Sequence, residues 1–105
     1  MPQGPRRFAI GDRTVDLERH LITIGDFQVH LTHLECRLLD RMWAKRNRTI
    51  PSERLVDVLW GPDARRGTHS LRSVVKNVRR KLEPDPSHPR YLVLDRTIGY
   101  RLSVS

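Results

Sequence analysis

The most restrictive pattern in the chain runs through residues 69 to 82. Leu71, Val74, Val75, Val78 and Leu82 recur there at helical spacing, an unbroken apolar stripe that suits an amphipathic helix and no strand. Advancing each residue by about 100° puts His69, Ser73, Lys76, Asn77 and Arg80 on the side opposite the stripe, with Arg72 and Arg79 at its edges. A helix of this kind must bury one side against other elements and present the other outward. The outward side carries no acid.

Charge gives that face its meaning. Arg65, Arg66, Arg72, Lys76, Arg79, Arg80 and Lys81, seven of the 20 Lys and Arg residues, fall between positions 65 and 81, where none of the 12 Asp and Glu residues lies. The remaining 13 basic and 12 acidic side chains nearly cancel, so the formal +8 of the chain is a patch and not a general tint. In a domain with a sequence pI near 11.0, a patch of that density reads as the footprint of a polyanion.

Other classes are excluded more simply. A chain of 105 residues builds one domain around one modest core. No nucleophile, base and orienter occur in a recognisable arrangement, so an enzyme is not expected, nor is a cofactor. The single cysteine, Cys36, excludes an intrachain disulfide and a four-cysteine zinc site, and suggests a reducing compartment, the cytoplasm. His30, His33 and Cys36 have a spacing suggestive of a metal. They read instead as a strand end, a helix start and a small core residue. No apolar window is long enough to cross a membrane.

The order of elements follows from punctuation. Residues 1–7, with two prolines and a glycine among the first six, read as a linker or disordered start, and residues 8–105 as the domain. Apolar alternation broken by Gly11-Asp12, Glu18-Arg19-His20 and Gly25-Asp26 predicts three or four short antiparallel strands between Phe8 and Leu31. Thr32 and Glu35 have the spacing of a capping box, predicting a helix to Ala44 or Lys45 that buries Cys36, Leu39, Met42 and Trp43, with Leu38 at its flank. Ser52 is expected to cap a second helix carrying Leu55, Val56, Leu59 and Trp60, stopped by Gly61-Pro62. A loop from Pro62 to Thr68 with Arg65 and Arg66 follows, then the third helix, ended by Pro84 and Pro86. Tyr91–Leu94 and Tyr100–Val104 read as strands of a hairpin around Arg96, with Thr97 and Gly99 as turn formers.

Three helices, the last with a basic outer face, followed by a hairpin make a winged helix-turn-helix of the α+β class. A B-DNA major groove, roughly 12 Å wide, admits one helix and is read by its outward side chains. Lys76 suits guanine or a phosphate, Asn77 pairs bidentately with adenine, and Ser73 permits close approach. Arg72, Arg79 and Arg80 suit phosphates, and Arg96 suits an adjacent minor groove, with Thr97 beside it at the wing tip.

The segments HLTHLECRLLDRMW, SERLVDVLWG, VRRKLEPDP and RTIGYRL, in this order and spacing, resemble the OmpR/PhoB-type winged-helix output domain of bacterial two-component response regulators, over residues 8 to 102. The resemblance implies an N-terminal four-stranded antiparallel sheet, a three-helix core and a C-terminal hairpin wing. It implies double-stranded DNA as the partner, with residues 69–82 as recognition helix, Arg96 as wing arginine, and residues 61–68 as a loop that contacts RNA polymerase. It further implies a receiver domain upstream and head-to-tail pairing on tandem sites. The sequence departs from the family at His69, Arg72 and Val74, where arginine, aspartate and histidine are common, at Asn77, commonly basic, and at His33, commonly proline. Base preference therefore does not transfer, and Arg72 in place of an aspartate adds phosphate affinity. The alternative reading is a protein-interaction module that presents the third helix or the 62–68 loop to polymerase or a partner domain.

Overall fold

The computed structural model describes residues 6–61 and 68–104. The expected linker and the 62–68 loop therefore lie largely outside the described residues. Strands β1 (Arg7–Ile10), β2 (Arg13–Asp16), β3 (Leu21–Ile24) and β4 (Phe27–His30) form an antiparallel meander in sequential order. Gly11 and Gly25, at φ +59° and +56°, open the two-residue turns of its outer hairpins, where left-handed backbone suits glycine. Alternation turns Phe8, Ile10, Val15, Leu17 and Ile22 into the core.

Helix α1 (His33–Ala44) starts as its sequence requires. Thr32 Oγ1 accepts from the Glu35 amide at 3.2 Å, and Glu35 Oε1 accepts from the Thr32 amide at 2.9 Å. Cys36, Leu39 and Met42 are buried, but two expectations on this helix need correction. Leu38 is fully buried rather than flanking, because α1 packs against α2 (Ser52–Trp60), α3 (Thr68–Leu82) and the C-terminal sheet. Trp43 is only half-buried: its ring stacks on Phe8 of β1, centroids 4.2 Å apart, at the border between the N-terminal sheet and α1.

The expected cap at Ser52 is also corrected. Ser52 is already helical, and Pro51 occupies the cap position without a side-chain hydrogen bond. The cause is a strand that the sequence did not announce, β5 (Thr49–Pro51), which runs straight into α2. It pairs with β7 (Gly99–Leu102), which pairs in turn with β6 (Leu92–Asp95), giving a three-stranded sheet of order β5-β7-β6. The Ser52 amide donates to Ile98 O at 3.0 Å, fastening the start of α2 to the hairpin turn. Gly99 serves this packing rather than the turn, since a Cβ there would lie 1.9 Å from Ile50 O. Gly61, at φ +89°, ends α2.

One continuous core joins all these elements except the exposed edge strand β4, with Leu71, Val74, Val75, Val78 and Leu82 of α3 inside it. Among the described residues no helix is long and apolar enough to cross a membrane. Just past α3, the Glu83 side chain is 5% exposed and accepts from the backbone amides of Arg90 at 2.7 Å, Tyr91 at 3.1 Å and Leu92 at 2.7 Å. This carboxylate holds the strand entering the wing against the end of the helix.

Two outcomes follow. Glu83→Ala leaves those amides without their acceptor and is expected to lower the unfolding free energy by about 2–3 kcal/mol in urea titration; a change within error contradicts the role. Burial, with the neighbouring Glu35 charge, pushes the Cys36 thiol up to about 11. Thiolate is then scarce at pH 8, and a disulfide exchange reagent should modify the folded chain far more slowly than the unfolded one; equal rates would contradict the packing. The raised value favours the folded state below the unfolded thiol's pKa and loses that contribution as pH rises through about 11.

Candidate nucleic-acid interface

Helix α3 separates its two sides as the stripe requires. Arg72, Ser73, Lys76, Asn77 and Arg80 are all exposed, while the stripe is buried beneath them. Arg72, Lys76 and Arg80 form no ion pair among the described residues. Arg65, Arg66 and the side chain of His69 lie outside the described residues.

The other two cations of α3 are engaged by neighbouring elements. Arg79 is half-buried, its Nε donating to Leu92 O of β6 at 2.9 Å and its guanidinium lying 5.8 Å from the centre of the Tyr100 ring. Lys81 Nζ lies 2.6 Å from Glu35 Oε1, and that carboxylate is 3% exposed. The same Glu35 oxygen closes the capping box of α1. A buried carboxylate without a cation is expensive, so Lys81 is committed to the interior, and Arg79 is bound to the wing.

At the wing tip, Arg96 is exposed and Ile98 N donates to Asp95 O at 3.2 Å to close the turn. Thr97 carries the left-handed residue, φ +62°, with its hydroxyl donating to Arg96 O at 2.6 Å. A β-branched residue there is strained. Asp95 accepts from the Thr49 hydroxyl and lies 3.6 Å from Arg101, so the hairpin is braced to β5 by side chains as well as by its ladder.

A groove separates α3 from the wing and brings Arg72 together with Thr97, Ile98 and Leu94, and with Ser52 and Glu53 at the start of α2. Sequence reading missed Leu94 and Ile98, 58% and 54% exposed, as surface groups of the wing, having assigned them to a strand and a turn. It also missed Glu53 as the acid of this groove. The order of strands in the sheet, which sequence does not give, is what brings these residues together. Away from this face, Cys36 and His33 line a small pocket with His20 and Asp40, and His30 is not part of it. Among the described residues no three such side chains are arranged to hold a metal ion.

Residues 26–102 match the family described as transcriptional regulatory protein, C terminal. The chain is similar to the KDP operon transcriptional regulatory protein KdpE of Escherichia coli (strain K12), with 39% identity over 90 residues, covering 86% of this chain and 40% of that protein. It is also similar to the sensory transduction protein RegX3 of Mycobacterium leprae, with 34% identity over 92 residues, 88% of this chain and 46% of that one. It thus spans less than half the length of these curated relatives. The fold matches the response regulator DrrB of Thermotoga maritima, an OmpR/PhoB homolog, with a TM-score of 0.81 at 21% identity, over 93% of this chain and 44% of that one. It also matches the Klebsiella pneumoniae RstA DNA-binding domain, solved in complex with the RstA box, with a TM-score of 0.78 at 18% identity, over 94% and 98% of the two chains. With most of its length matched, and with the four-stranded sheet, three helices and hairpin wing in place, the chain belongs to the OmpR/PhoB-type winged-helix family of transcriptional regulatory protein C-terminal domains.

Proposed function

We propose that the chain binds double-stranded DNA sequence-specifically, as the output domain of a bacterial two-component transcription regulator, with α3 in the major groove and the wing in the adjacent minor groove. One observation carries this reading: the exposed face of α3 presents Arg72, Ser73, Lys76, Asn77 and Arg80 without an acid or an internal ion pair among the described residues. A face with three free cations around a serine and an asparagine has the composition that base-edge reading requires, phosphate donors outside and a bidentate amide within.

Each side chain has a role. Asn77 reads adenine and Lys76 reads guanine or its phosphate, while Ser73 lets the helix approach closely. Arg72 and Arg80 hold phosphates on either side. Arg79 keeps part of its guanidinium for a phosphate while its Nε fixes the wing, and His69 stands at the helix entrance. Arg96 reaches into the minor groove, with Thr97 setting the turn that aims it. Arg65 and Arg66 form the polymerase or partner loop. A receiver domain upstream belongs to this reading, supported by the greater length of its relatives, and so, from the family resemblance alone, do a cytoplasmic setting and head-to-tail pairing on tandem sites. No enzymatic activity or cofactor enters this mechanism.

Binding should weaken steeply with salt as phosphate counterions are released. Arg80→Ala should weaken all sequences alike and reduce the salt slope by about one. Asn77→Ala should alter preference at one base pair, costing on the order of 1–3 kcal/mol there. Quantitative binding to duplexes at several salt concentrations reads both effects. Affinity that is flat between low and physiological salt contradicts the phosphate contacts, and an Asn77→Ala variant with unaltered preference contradicts the reader assignment.

A further inference from the structure

A second basic surface lies outside the DNA-reading face. Arg41 projects from the last turn of α1, Lys45 from the cap just past its end, Arg48 from the turn before β5, and Arg54 from the first turn of α2, and together they rim a cleft of about 480 Å³ between the two helices. All four are exposed, and none forms a side-chain ion pair or hydrogen bond among the described residues. The cleft walls include Ile50, Pro51 and Val58, and the one acid along it, Asp57, has no cation within ion-pair distance among the described residues.

Sequence arithmetic understates this cluster, because Asp40, Glu53 and Asp57 offset three of the five cations between positions 40 and 57 and leave the segment at only +2. Folding separates them in part. Asp40 pairs with Arg6, 3.9 Å away, and lines a neighbouring hollow with Arg37, Arg41 and Val58, while Glu53 lines the groove beside the wing. The four cations are left facing one cleft with a net excess of three positive charges over Asp57.

We propose that this cleft docks an acidic protein segment that carries an apolar side chain. Four unpaired cations on the rim of a cleft create a field that attracts anionic side chains and rejects cationic ones. The apolar wall is the feature that selects protein over nucleic acid: a sugar-phosphate backbone has nothing to bury against Pro51 and Val58, whereas a leucine between carboxylates does. No residue of α3 or of the β6–β7 hairpin lines the cleft, so the occupant does not need the DNA-reading face.

The test uses short fluorescein-labelled peptides of aspartate and glutamate, one with two leucines, one without, and one with lysine in place of the acids. Binding is read by anisotropy and mapped by amide NMR shifts on the free chain, so it does not depend on whether the chain binds DNA. The leucine-bearing acidic peptide should bind most tightly and shift amides between positions 41 and 58. Arg41→Glu combined with Arg48→Glu should weaken it by about tenfold or more, while Lys76→Ala should not. The paired variant should also keep the far-ultraviolet spectrum and melting temperature of the parent, since both sites are exposed. Shifts confined to α3 and the wing, or an unchanged affinity in the paired variant, would overturn the proposal. So would a paired variant that keeps the peptide and loses duplex DNA, which would assign the cleft to a nucleic-acid backbone.

Discussion

The geometry of this domain depends on how the end of α3 is tied to the wing. Glu83 gathers the amides of Arg90, Tyr91 and Leu92 onto one buried carboxylate, and Arg79, one turn earlier, bonds Leu92 O. The strand that begins the wing is thus held by its donors and its acceptor at once. At its other end the wing is fastened to α2 by the Ser52 amide on Ile98 O. Helix and hairpin become a single rigid body, so the distance between a side chain on α3 and Arg96 on the turn is set before any ligand arrives. Preorganisation of this kind lowers the ordering cost of binding two grooves together.

The same packing divides the charge of α3 into structural and free parts. Lys81 neutralises Glu35 where that residue also caps α1, which links the first helix to the third through one carboxylate oxygen. Arg79 spends its Nε on the wing. Arg72, Lys76 and Arg80 remain on the surface beside Ser73 and Asn77. The charge at the face is therefore smaller than the composition implies but better aimed, and sequence preference falls to few side chains.

Local patterns carried much of this in the primary structure. The Thr32 and Glu35 capping box and the five-residue stripe of α3 depend on neighbours within a turn or two of helix, so they were legible, as was the N-terminal meander from its glycine breaks. The four matched family segments supplied the order of the whole. What escaped depended on partners far away in the chain. β5 has only three residues and ends in proline, and it exists because Gly99 lets Ile50 approach. Ser52 lost its capping role to that strand. Trp43 stays half-exposed because its partner is Phe8. The inward turn of Arg79 and Lys81 depends on Leu92 and Glu35, and no helical wheel shows either. The cluster between α1 and α2 was hard to see for the same reason, since Glu53 is next to Arg54 in sequence but lines the groove beside the wing.

The central claim is that one exposed helix face and one braced wing together read a defined DNA sequence. Selection of bound molecules from a pool of random duplex DNA at physiological salt tests it most directly. The account predicts enrichment of a single motif whose major-groove half is followed by a minor-groove position preferring A·T pairs, where Arg96 enters. Enrichment without a motif, or none above the starting pool, would contradict it.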